Sequence, residues 1–108
     1  MKARRSLGLF FDMHLVQILL PLVGERAIFD EVMHELTERF GGVTAYTRAP
    51  AAGRWKNATA STESDDIIVV EVMVEELDKP WWARYRRALE ERLQQKELVV
   101  RAHAIQSL

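Results

Sequence analysis

A small set of polar and titratable residues interrupts runs that are otherwise apolar. Glu71 stands in IIVVEVMV, Gln17 in HLVQILL, and Arg101 and His103 in LVVRAHAI. A carboxylate or an imidazole can act as a general acid or base, whereas a guanidinium binds anions. The sequence therefore predicts Glu71 and His103 as candidate catalytic residues, and Gln17 and Arg101 as candidate ligand-binding residues.

Two aromatic residues extend this set. Tyr46 lies in VTAYTR. Tyr46 and Arg48 belong to the same polar set only if the larger side chains of this segment lie on the same face of the sheet as the other members. The sequence leaves this orientation open. Trp55 lies in a stretch rich in Gly and Ala and must pack on something, either a partner subunit or the mouth of a pocket. Tyr46 and Trp55 are therefore further ligand-binding candidates.

The polar set has two interpretations. In the first, it is a structural network that sets the register of a dimer, with Glu71 and Arg101 paired to each other or to their two-fold mates. In the second, it lines a pocket in which Arg101 binds an anionic group and Glu71 or His103 is a general base. We favour the structural interpretation, because ion pairs that only stabilise a fold have the same residue types as active sites.

Other motifs argue against specific chemistries. Gly41 and Gly42 follow a helix, whereas a phosphate loop places its glycines before the positive N-terminus of one. The three histidines, at positions 14, 34 and 103, lack metal-ligand spacing, and the chain has no cysteine. We therefore expect no metal site, no thiol chemistry and no organic cofactor.

Composition limits the partners. The chain has 108 residues and a net charge of -1 at pH 7, which gives no long-range attraction for nucleic acid or anionic membranes. Residues 1–12 are basic and then apolar, without a cleavage site for a secretion signal, and we expect a loosely ordered N-terminal extension. We expect residues 13–108 to form a single domain in the cytoplasm.

The elements that position the polar set follow from periodicity. Phe29, Val32, Leu36 and Phe40 recur at helical spacing, and Asp78 with Pro80 marks the start of a second helix. The stretch 49–66 contains Pro, Gly and Asn and is predicted to be a long loop or a ragged hairpin end. We predict strands over 13–23, 43–48, 67–74 and 97–105, and helices over 25–40 and 78–93.

The order βαββαβ predicts an α+β fold, the ferredoxin-like plait, in which a four-stranded antiparallel sheet carries two helices on one face. The rule of right-handed crossovers leads us to expect the first and third strands as a parallel central pair. Alternation along the strands assigns one apolar set to the helix-covered face: Val16, Ile18, Leu20, Ile68, Val70, Val72, Val74, Leu98, Val100, Ala102 and Ala104.

The opposite face of this sheet lacks a cover. It carries the polar set among Leu15, Leu19, Ile67, Val69, Met73, Val99 and Ile105. An apolar surface of this size is rare on a soluble monomer, and an identical sheet can cover it face to face. We therefore predict a homodimer formed through the helix-free face.

The stretch ELTERFGGVTAYTRAPAAGRWK and the segment DDIIVVEVMVEELDKPWWARYRRALEERLQQKELVVRA resemble a family of small uncharacterised bacterial proteins. The plait itself resembles the dimeric α+β barrel superfamily, which includes cofactor-free monooxygenases, isomerases, dehalogenating enzymes and stress-responsive proteins. This resemblance implies a dimer and a cavity between helices and sheet. It leaves the activity open.

Two functions follow as hypotheses. The first is a homodimeric module that binds a small apolar or anionic molecule, or a protein partner. The second is a small cofactor-independent enzyme, such as a monooxygenase or an isomerase, with Glu71, Arg101 and His103 around its substrate.

Overall fold

The structure is a computed structural model that describes residues 13–21, 26–47, 51–56 and 62–108. The predicted N-terminal extension, Arg48 and the side chain of Trp55 lie outside the described residues. Within them the chain forms two helices and five strands. The elements are β1 (Met13–Pro21), α1 (Arg26–Phe40), β2 (Thr44–Ala45), β3 (Ala51–Lys56), β4 (Thr62–Val74), α2 (Lys79–Leu93) and β5 (Val100–Ile105).

The strands form one antiparallel sheet with the order β2-β4-β1-β5, and β3 also pairs with β4. This is the strand order of the predicted ferredoxin-like plait. The expectation of a parallel central pair is wrong, because β1 and β4 run antiparallel. The crossover through α1 makes β1 parallel to β2, and β4 returns between them with the opposite direction.

The second predicted strand is also different in the structure. Of the described residues 43–47, only Thr44 and Ala45 form a strand, and a separate strand, β3, lies in the stretch 49–66. β3 pairs with an early part of β4 that begins at Thr62, so Asp65 and Asp66 lie within a strand instead of flanking it. Of the two predicted alternatives, a long loop and a hairpin end, the described residues form the hairpin pairing. Ladder hydrogen bonds outweigh the weak β-propensity of these small polar residues.

Local signals set the ends of both helices. Gly41, directly after α1, has φ +89°, a left-handed conformation that favours glycine, and its N–H donates to the carbonyl of Thr37 at 2.8 Å. The carboxylate of Asp78 accepts a 3.1 Å hydrogen bond from the N–H of Trp81, so Asp78 is the predicted N-cap of α2. None of the described helices is long and apolar enough to cross a membrane.

The core lies between the helices and one face of the sheet. Val32 and Leu36 of α1 and Leu89 of α2 are fully buried there. Phe40, at the end of α1, stacks on Trp82 at 5.2 Å between ring centroids and joins the two helices at one end. Eight of the residues predicted for this face are buried, seven in strands and Leu98 just before β5: Val16, Ile18, Leu20, Ile68, Val70, Val72, Val74 and Leu98.

Strand β5 departs from the predicted burial. Val100 packs partly against the core, but Ala102 and Ala104 are exposed although both were expected to lie under the helices. The reason is that the core residues of α2, Trp82, Leu89 and Leu93, all pack inward, and β5 is an edge strand. The outer half of β5 is therefore uncovered on its helix side.

The open face, meaning the side of the sheet opposite the helices, has no cover from the described residues. Met73 is 54% exposed and Val99 is 49% exposed there. Leu15, Leu19, Ile67 and Val69 are partly exposed apolar neighbours. The predicted open face is thus present in the single chain.

Candidate functional site

The polar row consists of Tyr46, Glu71, Gln17 and Arg101, side by side across the open face. Gln17 of β1 lies between Glu71 of β4 and Arg101 of β5 in the strand register. Its amide Nε2 donates to Glu71 Oε2 at 2.7 Å, and its Oε1 accepts from Arg101 Nε at 2.9 Å. One glutamine therefore bridges the carboxylate and the guanidinium.

Tyr46 completes the row at its acidic end. Its backbone N–H donates to the carbonyl of Val69 at 3.0 Å, which continues the ladder of β2 by one residue. Its hydroxyl then reaches the diagonal neighbour and donates to Glu71 Oε1 at 3.0 Å. The orientation that the sequence left open is therefore toward the open face.

The two charges of the row lie on different strands, the negative charge at one end and the positive charge at the other. The negative charge of Glu71 lies on β4 and the positive charge of Arg101 on β5, with one strand between them, so the backbones are about 10 Å apart. The hydrogen bond to Glu71 and the charge of Glu71 raise the pKa of Tyr46, because both favour the neutral phenol. Glu71 thus accepts two hydrogen bonds, one on each carboxylate oxygen, from Gln17 and from Tyr46.

The other predicted site residues are placed differently. The expected direct pair of Glu71 with Arg101 is replaced by the bridge through Gln17, because β1 separates β4 from β5. His103 is exposed, about 7 Å along β5 from Arg101, and forms no hydrogen bond with the described residues. The roles of His103 and Trp55 stay predictions.

The surroundings of the polar row are apolar. Leu15 and Leu19 flank Gln17 on β1, and Val69 and Met73 flank Glu71 on β4. An apolar surface crossed by a carboxylate, an amide and a guanidinium can contact both an apolar ring and charged groups of either sign. Among the described residues, no three His, Asp or Glu side chains are grouped to hold a metal ion.

Two sets of charged contacts lie on the helix side, and the sequence predicts one of them, the pair of Arg86 with Glu90. Arg92 of α2 binds Glu35 of α1 with two hydrogen bonds of 3.0 and 2.8 Å, and Tyr85 donates to Glu35 at 2.7 Å. Arg86 pairs with Glu90 at 3.0 Å on the opposite side of α2. Only this last pair has a sequence signal, the spacing of four residues; contacts between the helices depend on how they pack.

No protein-family model matches this sequence, and no curated protein matches it. Among solved structures, the chain is similar to a phage S-adenosylmethionine (SAM) lyase in complex with S-methyl-5'-thioadenosine, with a TM-score of 0.55 and 12% identity. That alignment covers 98% of this chain and 97% of the lyase chain. A phage SAM lyase in the apo state matches with a TM-score of 0.50 and 13% identity, covering 95% and 87%.

This similarity concerns the fold. It covers nearly the whole length of both chains, so the α+β architecture is shared from end to end. At 12% identity it supports no residue-by-residue transfer. Membership in the dimeric α+β barrel superfamily stays a prediction.

Proposed function

We propose that the open face binds a small molecule of the SAM type and that the polar row is its binding site. The observation that carries the proposal is the row itself, in which Gln17 holds Glu71 and Arg101 in place on an apolar surface. The full-length likeness to a SAM lyase supports the choice of ligand.

The charged groups of SAM are complementary to the two charged ends of the row. The ligand has a carboxylate, an ammonium and a sulfonium, together with an adenine ring. Arg101 would bind the carboxylate through its guanidinium, and Glu71 would face the cationic groups. The adenine would lie on the apolar side chains beside the row, such as Leu19 and Val69.

A reaction is the second part of the proposal. Cleavage of the bond between the sulfonium and the aminobutyryl chain releases S-methyl-5'-thioadenosine, with the bonding electron pair on sulfur. Glu71, the carboxylate of the row, would accept the proton from the carbon next to the one that leaves sulfur. The electron pair of that C–H bond would form the carbon–carbon double bond of the second product, 2-amino-3-butenoate. The earlier hypotheses of a monooxygenase or an isomerase have no comparable support.

The test is a binding titration by calorimetry with SAM and with S-methyl-5'-thioadenosine. We expect Glu71→Gln and Arg101→Gln to weaken SAM binding about tenfold or more, since each removes a charge-assisted interaction. S-methyl-5'-thioadenosine lacks the aminobutyryl group and the charges, so its binding should change little. Chromatography of the reaction mixture measures whether S-methyl-5'-thioadenosine forms.

Matched controls are Glu38→Gln and Arg87→Gln, which make the same charge changes at exposed helix positions. The proposal is wrong if neither ligand binds the unaltered protein, or if the row variants bind SAM as tightly as the controls do. If the row variants instead lose self-association and unfold at lower temperature, the structural interpretation of the row is correct.

A further inference from the structure

A groove lies on the helix side of the sheet, between α2 and the edge strand β5. Its volume is about 340 Å³, which is in the range of small-molecule pockets. Val16, Val100, Arg101 and Ala102 line it from the sheet, and Trp82 and Ala83 line it from α2. The guanidinium of Arg101 bonds to Gln17 on the open face. The groove thus lies on the other side of the sheet from the polar row and meets it at Arg101.

The groove exists because α2 is held toward α1. Arg92 and Tyr85, on the other side of α2, both bond to Glu35 of α1. The side that faces β5 has the short side chain of Ala83, and β5 opposes it with the short side chain of Ala102. Neither fills the space above the exposed outer half of β5.

Two cations border this apolar space. Lys79 and Arg86 both line the groove, and a separation of seven residues, or two turns, places them about 10 Å apart along α2. Glu90 accepts a 3.0 Å bond from Arg86 and a 2.9 Å bond from the N–H of Leu98, so it holds the guanidinium in place. With Glu90 counted, and with the guanidinium of Arg101 bonded to Gln17 on the open face, the groove has one net positive charge.

Arg86 keeps N–H donors available while it is paired with Glu90. Only Nη1 bonds to Glu90, and a guanidinium has five N–H donors. Lys79 is exposed and forms no hydrogen bond or ion pair with the described residues. Both cations are therefore available to an incoming anion, and the apolar lining is available to its hydrocarbon part.

We propose that this groove binds an aromatic monocarboxylic acid of phenyl to indole size. The ring lies on Val16, Val100 and Trp82, and the carboxylate binds Lys79 and Arg86. One carboxylate balances the net charge of the groove, whereas a dianion would leave a negative charge uncompensated. This site goes beyond the proposed function, because it lies on the opposite side of the sheet.

The test uses phenylacetate as the probe and follows backbone amide signals by NMR. We expect the shifts to map to Ala83, Arg86 and Ala102, away from Gln17 and Glu71. Phenylacetamide, which has the same shape without the charge, should bind at least tenfold more weakly. Shifts centred on the polar row, or equal binding of the amide, would overturn the proposal.

Variants provide a second measurement. Lys79→Gln should weaken phenylacetate binding about tenfold, and Lys96→Gln, an exposed position after α2, should leave it unchanged. Ala102→Leu fills the groove from an exposed strand position, so it should block binding while the protein unfolds at an unchanged temperature. Binding that persists in Ala102→Leu shows that phenylacetate does not occupy the groove.

Discussion

At the scale of the residue, the polar row depends on the amide of Gln17. This side chain donates to Glu71 and accepts from Arg101, which neither a carboxylate nor a cation can do at once. The row therefore has a defined order of donors and acceptors across three strands. The pKa of Tyr46 reports on the hydrogen bond between its hydroxyl and Glu71.

The first prediction concerns the titration of Tyr46. The charge of Glu71 keeps the phenol protonated to higher pH, so Glu71→Gln should lower the pKa of Tyr46 toward its ordinary value of 10.0. The chain has two tyrosines, and a Tyr85→Phe background leaves Tyr46 alone to titrate. The ultraviolet absorbance of the phenolate gives the midpoint, and equal midpoints with and without Glu71 would contradict the hydrogen bond.

At the scale of the element, single residues set the helix ends, and hydrogen bonds between charged and polar side chains connect α1 to α2. Gly41 is left-handed at the end of α1, whereas Gly42 is not. Glu35, Tyr85 and Arg92 bind α1 to α2. These features set where α2 lies above the sheet and hence the width of the groove beside β5.

The second prediction compares the two glycines. A Cβ at either position would meet no atom within 4 Å, so only backbone conformation distinguishes them. Gly41→Ala should lower the free energy of unfolding by about 1 kcal/mol, because an L-residue is strained at φ +89°. Gly42→Ala should cost much less. Urea unfolding measures both, and equal losses would count against the left-handed cap.

The third prediction concerns Glu35 and pH. The hydrogen bonds from Arg92 lower the pKa of Glu35 below its ordinary value of 4.5, against the opposing effect of burial. The stabilisation is therefore present above pH 4.5 and is lost as the pH falls through the lowered folded-state pKa. The Glu35 side chain is 41% exposed, so solvent screens the pair.

Glu35→Gln should accordingly lower the free energy of unfolding at neutral pH by about 1 kcal/mol. The difference from the unaltered protein should shrink in acid, where Glu35 is protonated in both the folded and the unfolded chain. Urea titrations at neutral and acidic pH measure it, with Glu38→Gln on the exposed side of α1 as the control. A difference that does not change with pH would mean that charge is not the cause.

At the scale of the whole molecule, the open face is an apolar surface that no described residue of the same chain covers. Its apolar residues surround a row with one acidic and one basic end. A two-fold axis parallel to β1, midway between two facing sheets and above Gln17, would place Glu71 of each copy opposite Arg101 of the other. Sheets pack about 10 Å apart, which long side chains can span.

The fourth prediction is therefore a homodimer in the absence of SAM, because the dimer contact and the proposed ligand use the same polar row. Light scattering in dilute buffer should give twice the chain mass of 12.5 kDa. Glu71→Arg should weaken the dimer, because it places like charges opposite each other, and the double variant Glu71→Arg, Arg101→Glu should restore it. A stable particle of 12.5 kDa would exclude the pairing.

The sequence alone determined much of the architecture. Strand alternation identified eight buried residues of the core, and helical spacing identified Val32 and Leu36 as the buried residues of α1. The caps at Asp78 and Gly41 were also predicted, because each depends on one residue and its nearest turn. Strand parity likewise placed Gln17, Glu71 and Arg101 on one face.

Tertiary structure decided what depends on residues far apart in the chain. The antiparallel direction of β1 and β4, the long hairpin of β3 and the bridge through Gln17 all follow from strand order and register. The groove depends on the lateral position of α2, which the contacts of Arg92 and Tyr85 with Glu35 set. Periodicity specifies which side of an element is apolar, but only packing specifies which neighbour that side meets.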